Sequence, residues 1–396
     1  MELKLSAAKW AKRRGMRRLL EALGADEGLT RYVGGAVRDD LLALPVSDVD
    51  LATRLRPQQV IERLEAARIK AVPTGIDHGT VTAVSDGQPY EVTTLRRDVS
   101  TDGRWATVDF TDDWQADAAR RDFTINALSA DPLTGDIFDY FGGLPDLQER
   151  RVRFIGDPLQ RIAEDHLRIL RFFRFHARFG SGEPDAAALD ACTSRANDLM
   201  ALSRERIADE LLKLLAMPDP APTVRVMLDR GILRPVLPEI DAARVRDLVA
   251  LIAAEQRAGT APDPLRRLAA LLPRDPTLAE DVAVRLKLSN KARKRLACAA
   301  TDVLFSNAQA LAYRVRTDCA IDRLLLAGRS EDAAAIAGWK APRLPIGGGA
   351  LIARGLPEGP IVARTLRTIE NQWVEGGFPT GEEFERIVRD ALSSAE

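Results

Sequence analysis

The stretch from Tyr32 to Leu51, YVGGAVRDDLLALPVSDVDL, leaves a chain few ways to fold. Tyr32-Val33 reads as the end of a strand, Gly34-Gly35 as a tight turn, and Ala36 to Leu42 as a short helix that Pro45 stops. Glycine at such a turn lets backbone approach a ligand closely. The free N–H groups of the first helical turn suit a phosphate, and Arg38 is placed to add a charge-assisted contact. A second strand is expected from Val46, with Asp48 and Asp50 on one face and Val49 and Leu51 turned to the core. Two carboxylates beside a phosphate cradle are what Mg²⁺ needs when it aligns a hydroxyl with a nucleoside triphosphate. Asp-x-Asp alone is common and equally describes a solvated strand end; the glycine turn ahead of it favours the metal-binding reading.

Downstream, helix and strand alternate. Pro57 suits the first turn of a helix running to about Ile69, with Val60, Ile61, Leu64 and Ala67 as its apolar stripe. Two β-branched runs, His78 to Val84 and Tyr90 to Arg96, flank Asp86-Gly87 and predict a hairpin. Glu91 on its second strand is a candidate third carboxylate, or else a solvated strand glutamate. Arg96 to Phe110 is rich in turn-forming and charged residues and predicts a mobile loop. Asp113-Trp114 opens a helix in which Asp117, Arg120, Arg121 and Asp122 cluster. Guanidinium groups there could meet triphosphate oxygens and the carboxylate a ribose hydroxyl, where a surface salt-bridge cluster is the plainer alternative.

The runs Gly34-Gly35-Ala36-Val37-Arg38-Asp39, Asp48-Val49-Asp50 and Arg120-Arg121-Asp122-Phe123-Thr124-Ile125-Asn126-Ala127 resemble the head signatures of a known family. It is that of the class II CCA-adding tRNA nucleotidyltransferases and bacterial poly(A) polymerases, within the polymerase β superfamily. The resemblance implies an α+β fold: a polymerase β-like nucleotidyltransferase head with a small mixed sheet, followed by an all-helical neck, body and tail. On this chain that divides into a catalytic head over 1–140, a nucleotide-selecting neck over 141–217 and a tRNA-binding body and tail over 218–396. The glycine-rich run from Asp139 to Leu147 is similar to the family's connector between head and neck and reads as a hinge. Strand signals nearly vanish from Asp157 onward.

Arg161 to Phe179, RIAEDHLRILRFFRFHARF, predicts one helix on which Asp165, Arg168, Arg171 and Arg174 recur every third residue. Glu164-Asp165-His166-Leu167-Arg168 resembles the family's nucleotide-selecting motif, and its logic follows from hydrogen-bond patterns. Cytosine and adenine both offer an amino donor beside a ring-nitrogen acceptor, which a carboxylate (Asp165) and a guanidinium (Arg168) complement. Uracil and guanine reverse the order and would leave buried groups unpaired, at roughly 1–3 kcal/mol each. The plainer reading is a helix with i, i+3 ion pairs. Arg206 and Glu210 are expected to brace the neck. In the last part of the chain, Arg285 to Arg295 is the densest basic patch, Pro342 to Pro357 reads as a loop, and a final helix containing Trp373 follows.

The implied activity is template-independent addition of CCA to the 3′ end of tRNA from CTP and ATP. Asp48 and Asp50 would hold Mg²⁺, with Glu91 as a further catalytic carboxylate. Gly34, Gly35, Arg38, Arg120, Arg121, Asp122, Asp165, Arg168, Arg171 and Arg174 would bind nucleotide. A poly(A) polymerase shares the same motifs, a CC-only enzyme would lack the loop after Arg96, and a non-catalytic RNA-binding relative is the alternative of another class. Composition fits a globular protein without a membrane span: 46% hydrophobic, 29% charged. The net charge of −1 excludes a non-specific nucleic-acid coat while leaving room for a local basic face. Cys192, Cys298 and Cys319, far apart and odd in number, are expected to be reduced thiols of a cytoplasmic protein, forming neither a disulfide frame nor a zinc site.

Overall fold

The computed structural model describes residues 4–5, 10–12, 14–102, 105–302, 305 and 307–395, with the backbone alone at 14, 98–102 and 105–108. The chain divides into two compact units, residues 1–210 with 229–236 and residues 211–228 with 237–396. The first is α+β and the second helical, as the resemblance implied.

The first unit opens with α1 (Arg14–Ala22). There follow β1 (Thr30–Val33), α2 (Gly35–Leu41), β2 (Asp50–Thr53), α3 (Pro57–Ala66), β3 (Lys70–Gly75), β4 (Thr80–Ser85) and β5 (Gln88–Thr94). With the later β8 (Ser129–Ala130) and β9 (Ile137–Phe138) these strands form one mixed seven-stranded sheet, in the order β3-β4-β5-β2-β1-β8-β9. Its single parallel pairing, β2 with β5, is possible because α3 and the β3–β4 segment supply the long crossover that parallel strands require. Leu51, Val81, Val92 and Tyr32 line the buried face at no more than 1% exposure, which fixes the register; a slip by one residue would turn all of them to solvent.

Three elements of the head differ from expectation. The second strand begins at Asp50, because residues 44–49 run without a ladder partner, so Asp48 precedes the strand rather than lying within it. β3 follows directly on the helix expected to end near Ile69, where the sequence pattern gives no strand. The stretch expected as a mobile loop is a hairpin, β6 (Arg96–Asp102) paired with β7 (Trp105–Phe110). Its Val99, Thr101, Thr107 and Val108 are strand formers, and only Asp102-Gly103 breaks them. After α4 (Trp114–Ala119), capped by Asp113, the glycine-rich connector is firmly built. Asp139 accepts the N–H groups of Phe141, Gly143 and Leu144, and α5 (Gly143–Gln148) starts there.

The single helix expected from Arg161 is two, α6 (Pro158–Glu164) and α7 (Arg168–Phe179). Asp165 sits between them in extended backbone (φ −154°, ψ 107°). Its carboxylate accepts the Leu167 N–H at 3.1 Å, the local bond by which aspartate competes with helix interiors and favours helix starts. α7 is held by its phenylalanines: Phe123 packs against Phe154 and Phe175 at 5.0 and 5.1 Å, and Phe154 against Phe172 at 5.8 Å. After α8 (Ala186–Ser194), α9 (Arg204–Leu215) leads out of the unit.

The second unit carries helices at Ala221–Asp229, Ala242–Arg257, Pro264–Ala270 and Pro276–Arg285, as an all-helical body requires. The expected loop before Pro357 contains the short helix Gly348–Ala353, and the helix bearing Trp373, Pro360–Glu375, is followed by one more, Glu382–Ser393. All three arginines of the basic patch are neutralised internally: Arg285 by Glu239, Arg293 by Glu280, and Arg295 by Asp263 and Asp322. No helix among the described residues is long and apolar enough to cross a membrane.

The cysteine expectation is corrected. Cys298 and Cys319 are joined by a disulfide, their Cα atoms 6.3 Å apart, and Cys192 is free and buried. Residues 21 apart in sequence meet because the helices Asn290–Ala299 and Thr317–Leu326 pack together, which spacing alone does not reveal. A crosslink closing a loop of this length stabilises by about 3 kcal/mol. Reductant, or Cys298→Ser, is therefore expected to lower the melting temperature of this unit by several degrees. Thiol titration of the unreduced, denatured chain should find one free thiol; finding three would contradict the link.

Candidate active site

The carboxylates converge through strand register. Asp50 on β2 is the direct partner of Glu91 on β5, and Glu91 of Thr82 on β4, so the three side chains share one face of the sheet. With Asp48, carried just ahead of the strand, they line a cleft of about 590 Å³ that Tyr90 also borders. Asp50 is open to solvent on the cleft side, at the end of an otherwise buried strand. The loss of water raises its pKa, Glu91 and Asp48 raise it further, and Arg121 opposes them. Among the described residues no three His, Cys, Asp or Glu side chains are gathered closely enough to hold a metal ion unaided. The donor set nevertheless fits a divalent cation that shares its ligands with a nucleotide: all oxygen, negatively charged, and open to solvent on one side.

Beside the carboxylates lies the glycine turn. Gly34 has φ +66° and ψ −120°, a backbone conformation that other residues adopt only with strain. A Cβ there would also come within 2.9 Å of Arg121 Nη1, so the glycine makes room for that guanidinium. Arg121 and Arg120 are both anchored on buried Asp117, and Arg121 also donates to the Asn126 carbonyl at 3.4 Å.

Other expected binding residues form the frame behind this surface. Arg38 is buried, donates to Asp39 and to Asn126 Oδ1, and stacks over Phe179 at 4.0 Å. Asp122 is buried as well. It accepts from Asn126 Nδ2 at 2.9 Å, the Phe123 N–H at 2.9 Å, and Arg171 at 2.6 and 2.8 Å. Burial would raise its pKa, but Arg171 and these donors more than offset that and leave it lowered. Arg171 and Arg174 both reach Glu210 of α9, at 3.8 and 2.6 Å. Arg38, Asp122, Arg171 and Arg174 thus compose a network that fixes α7 against the head. Glu210 and Asn126, not singled out as ligand groups from sequence, are its junctions.

The structure does not pair Asp165 with Arg168. Asp165 Oδ2 accepts from Arg206 at 2.7 Å, and Arg168 donates to Glu164 at 2.5 Å. The bracing role expected of Arg206 and Glu210 is thus exercised across helices and not between the two. A signal for Glu164 was present in its i, i+4 spacing to Arg168.

Comparison with known proteins settles the family. Residues 30–153 match the model of the poly A polymerase head domain, and residues 183–244 that of a probable RNA- and SrmB-binding site of polymerase A. The mitochondrial CCA tRNA nucleotidyltransferase 1 of Mus musculus is 34% identical over 96% of this chain and 89% of its own length. This chain belongs to the CCA tRNA nucleotidyltransferase family. The Danio rerio member of the same name is 33% identical over 92% of the chain and 88% of its own length. A solved structure of the Bacillus stearothermophilus CCA-adding enzyme in complex with CTP superposes with a TM-score of 0.74 at 25% identity, covering 96% of this chain and 99% of that one.

Proposed function

We propose that this nucleotidyltransferase adds CCA to the 3′ end of tRNA from CTP and ATP without a nucleic-acid template, releasing pyrophosphate. The observation that carries the reading is the register-fixed pairing of Asp50 with Glu91 at a cleft shared with Asp48, in a chain similar to CCA enzymes over nearly its whole length. Asp48 and Asp50 would hold Mg²⁺, with Glu91 beside them. The ion would supply charge stabilisation for attack of the tRNA 3′-hydroxyl on the α-phosphate. Arg121 and Arg120 would take the triphosphate, and Gly34 and Gly35 let their backbone approach it.

Asp165 and Arg168 would read the base by exchanging partners. A cytosine or adenine amino group replaces Arg206 on Asp165, and the ring nitrogen takes a donor from Arg168 that Glu164 now holds. Uracil or guanine offers no such exchange and strands buried groups at roughly 1–3 kcal/mol each. Arg38, Asp122, Arg171 and Arg174 act in this reading by positioning the surface that binds nucleotide. A cytoplasmic location stays part of the proposal, although the vertebrate relatives are named as mitochondrial.

The test is incorporation of labelled CTP and ATP into tRNAs ending before CCA, after C and after CC. CMP should enter the first two and AMP the third alone. Long adenylate tails with little use of CTP would overturn the reading in favour of a poly(A) polymerase, and RNA binding without incorporation in favour of a non-catalytic relative.

A further inference from the structure

Arg161 is a buried arginine outside the motifs that carry the resemblance. It lies in α6, 8% exposed, in a helix whose start is fixed by the Asp157 cap and Pro158. Its Nη2 donates to two consecutive carbonyls, Arg120 O at 2.6 Å and Arg121 O at 2.5 Å. Its Nη1 donates to Glu164 Oε2 at 2.5 Å, the same oxygen that receives Arg168. Arg168 Nη1 in turn donates to the Arg161 carbonyl at 2.8 Å. One guanidinium therefore ties the backbone that carries Arg120 and Arg121 to the carboxylate that holds Arg168.

Stability alone does not single out this residue, which carries costs as well as bonds. Its Nε is buried without a partner, and burial and the neighbouring Arg168 cation both lower its pKa. An unpartnered buried donor and a like-charged neighbour are costs to the fold. Glu164 would keep Arg168 as a partner if Arg161 were removed. A side chain kept at such a cost, bridging the triphosphate-facing and base-facing groups, is placed for function.

We infer that Arg161 is a positioning residue that couples triphosphate binding to base selection: it sets the Arg120-Arg121 backbone and, through Glu164, the readiness of Arg168 to leave for the base. The inference rests on the base-reading role of Arg168 proposed above. Replacing Arg161 by methionine keeps the length of the side chain but frees both ends at once. Misplacing binding groups by an ångström costs up to about a hundredfold. Arg161→Met is therefore expected to raise KM for both CTP and ATP by roughly tenfold or more. Discrimination against UTP, read as the ratio of kcat/KM values, should fall by a similar factor. The melting temperature should fall by several degrees as well, because the Arg120 and Arg121 carbonyls lose a buried donor, so the kinetic readouts carry the test. Arg161→Lys, which retains charge and can still bond a carbonyl or Glu164, should recover part of both effects.

A lower melting temperature with discrimination unchanged would overturn the inference in favour of a purely structural residue, and so would unchanged KM and discrimination. If the methionine variant does not fold, the lysine variant is read by the same criteria. Calorimetric titration of wild type and variants with CTP and UTP, in the absence of tRNA, separates the two claims. A wild-type protein that binds CTP over UTP but adds nothing to tRNA defeats the proposed function alone. A variant that retains the wild-type preference defeats the role of Arg161 alone.

Discussion

Asp50→Asn is expected to abolish CMP and AMP incorporation while leaving the fold intact. Metal-assisted charge stabilisation is worth several kcal/mol, which at ~1.4 kcal/mol per tenfold corresponds to a loss on the order of 10³-fold or more. The same substitution is expected to stabilise the protein slightly at neutral pH. The folded-state pKa of Asp50 is raised, first by loss of water and then by Glu91, so the folded protein holds this proton more tightly than the unfolded chain does. Stability from this group is thus present below the unfolded-state pKa and is lost as pH rises through the folded one. At neutral pH the ionised carboxylate works against the fold, and the amide removes that repulsion. Melting curves of the metal-free protein at a series of pH values check the sign. A variant with near-normal incorporation would remove Asp50 from the chemistry.

The largest loss of stability is expected at Glu255→Ala, in the second unit. Glu255 is 2% exposed and receives Arg266 Nη1 at 2.7 Å and Arg267 Nε at 2.9 Å; those arginines are 5% and 1% exposed. Arg266 keeps Asp322 at 2.8 Å, but Arg267 is left with backbone carbonyls, Leu215 O at 2.8 Å among them. Removing one member of a buried ionic cluster costs about 3–5 kcal/mol, because the remaining charge stays buried without compensation. For a unit of this size that is a drop of roughly 10 °C in melting temperature. Calorimetry should show the loss, and Glu255→Gln, which keeps an acceptor, should fall between the two. An unchanged melt would mean that water or rearrangement satisfies Arg267.

Much of the candidate site was legible because it is local in sequence. Gly34-Gly35, Asp48-x-Asp50 and Arg120-Arg121-Asp122 are each short local runs, and spacing finds the turn and the shared carboxylate cleft, whereas Asp48 stands ahead of its strand and Arg120 to Asp122 follow the helix instead of lying in it. Glu91 was legible as a strand residue, and the register with Asp50 supplied what periodicity could not. The misreadings share a cause. Helical spacing ran through Asp165 because aspartate's own side-chain bond to the Leu167 N–H competes with the helix, and only three-dimensional context decides that contest. For Arg38 and Asp122, residue type shows a possible ligand group but not the contacts made under α7 with Asn126 and Arg171, partners 88 and 49 residues away. The Cys298–Cys319 link and the partners of Arg161 are likewise contacts between elements that no spacing rule joins.

The central claim, that protein side chains alone dictate the added sequence, is tested most directly by competition. A tRNA ending at the nucleotide before CCA would be incubated with all four nucleoside triphosphates at equal concentration and Mg²⁺, and the 3′ ends sequenced. The account predicts ends of CCA and no further growth. Adenylate runs, ends containing U or G, or a mixture without order would contradict it.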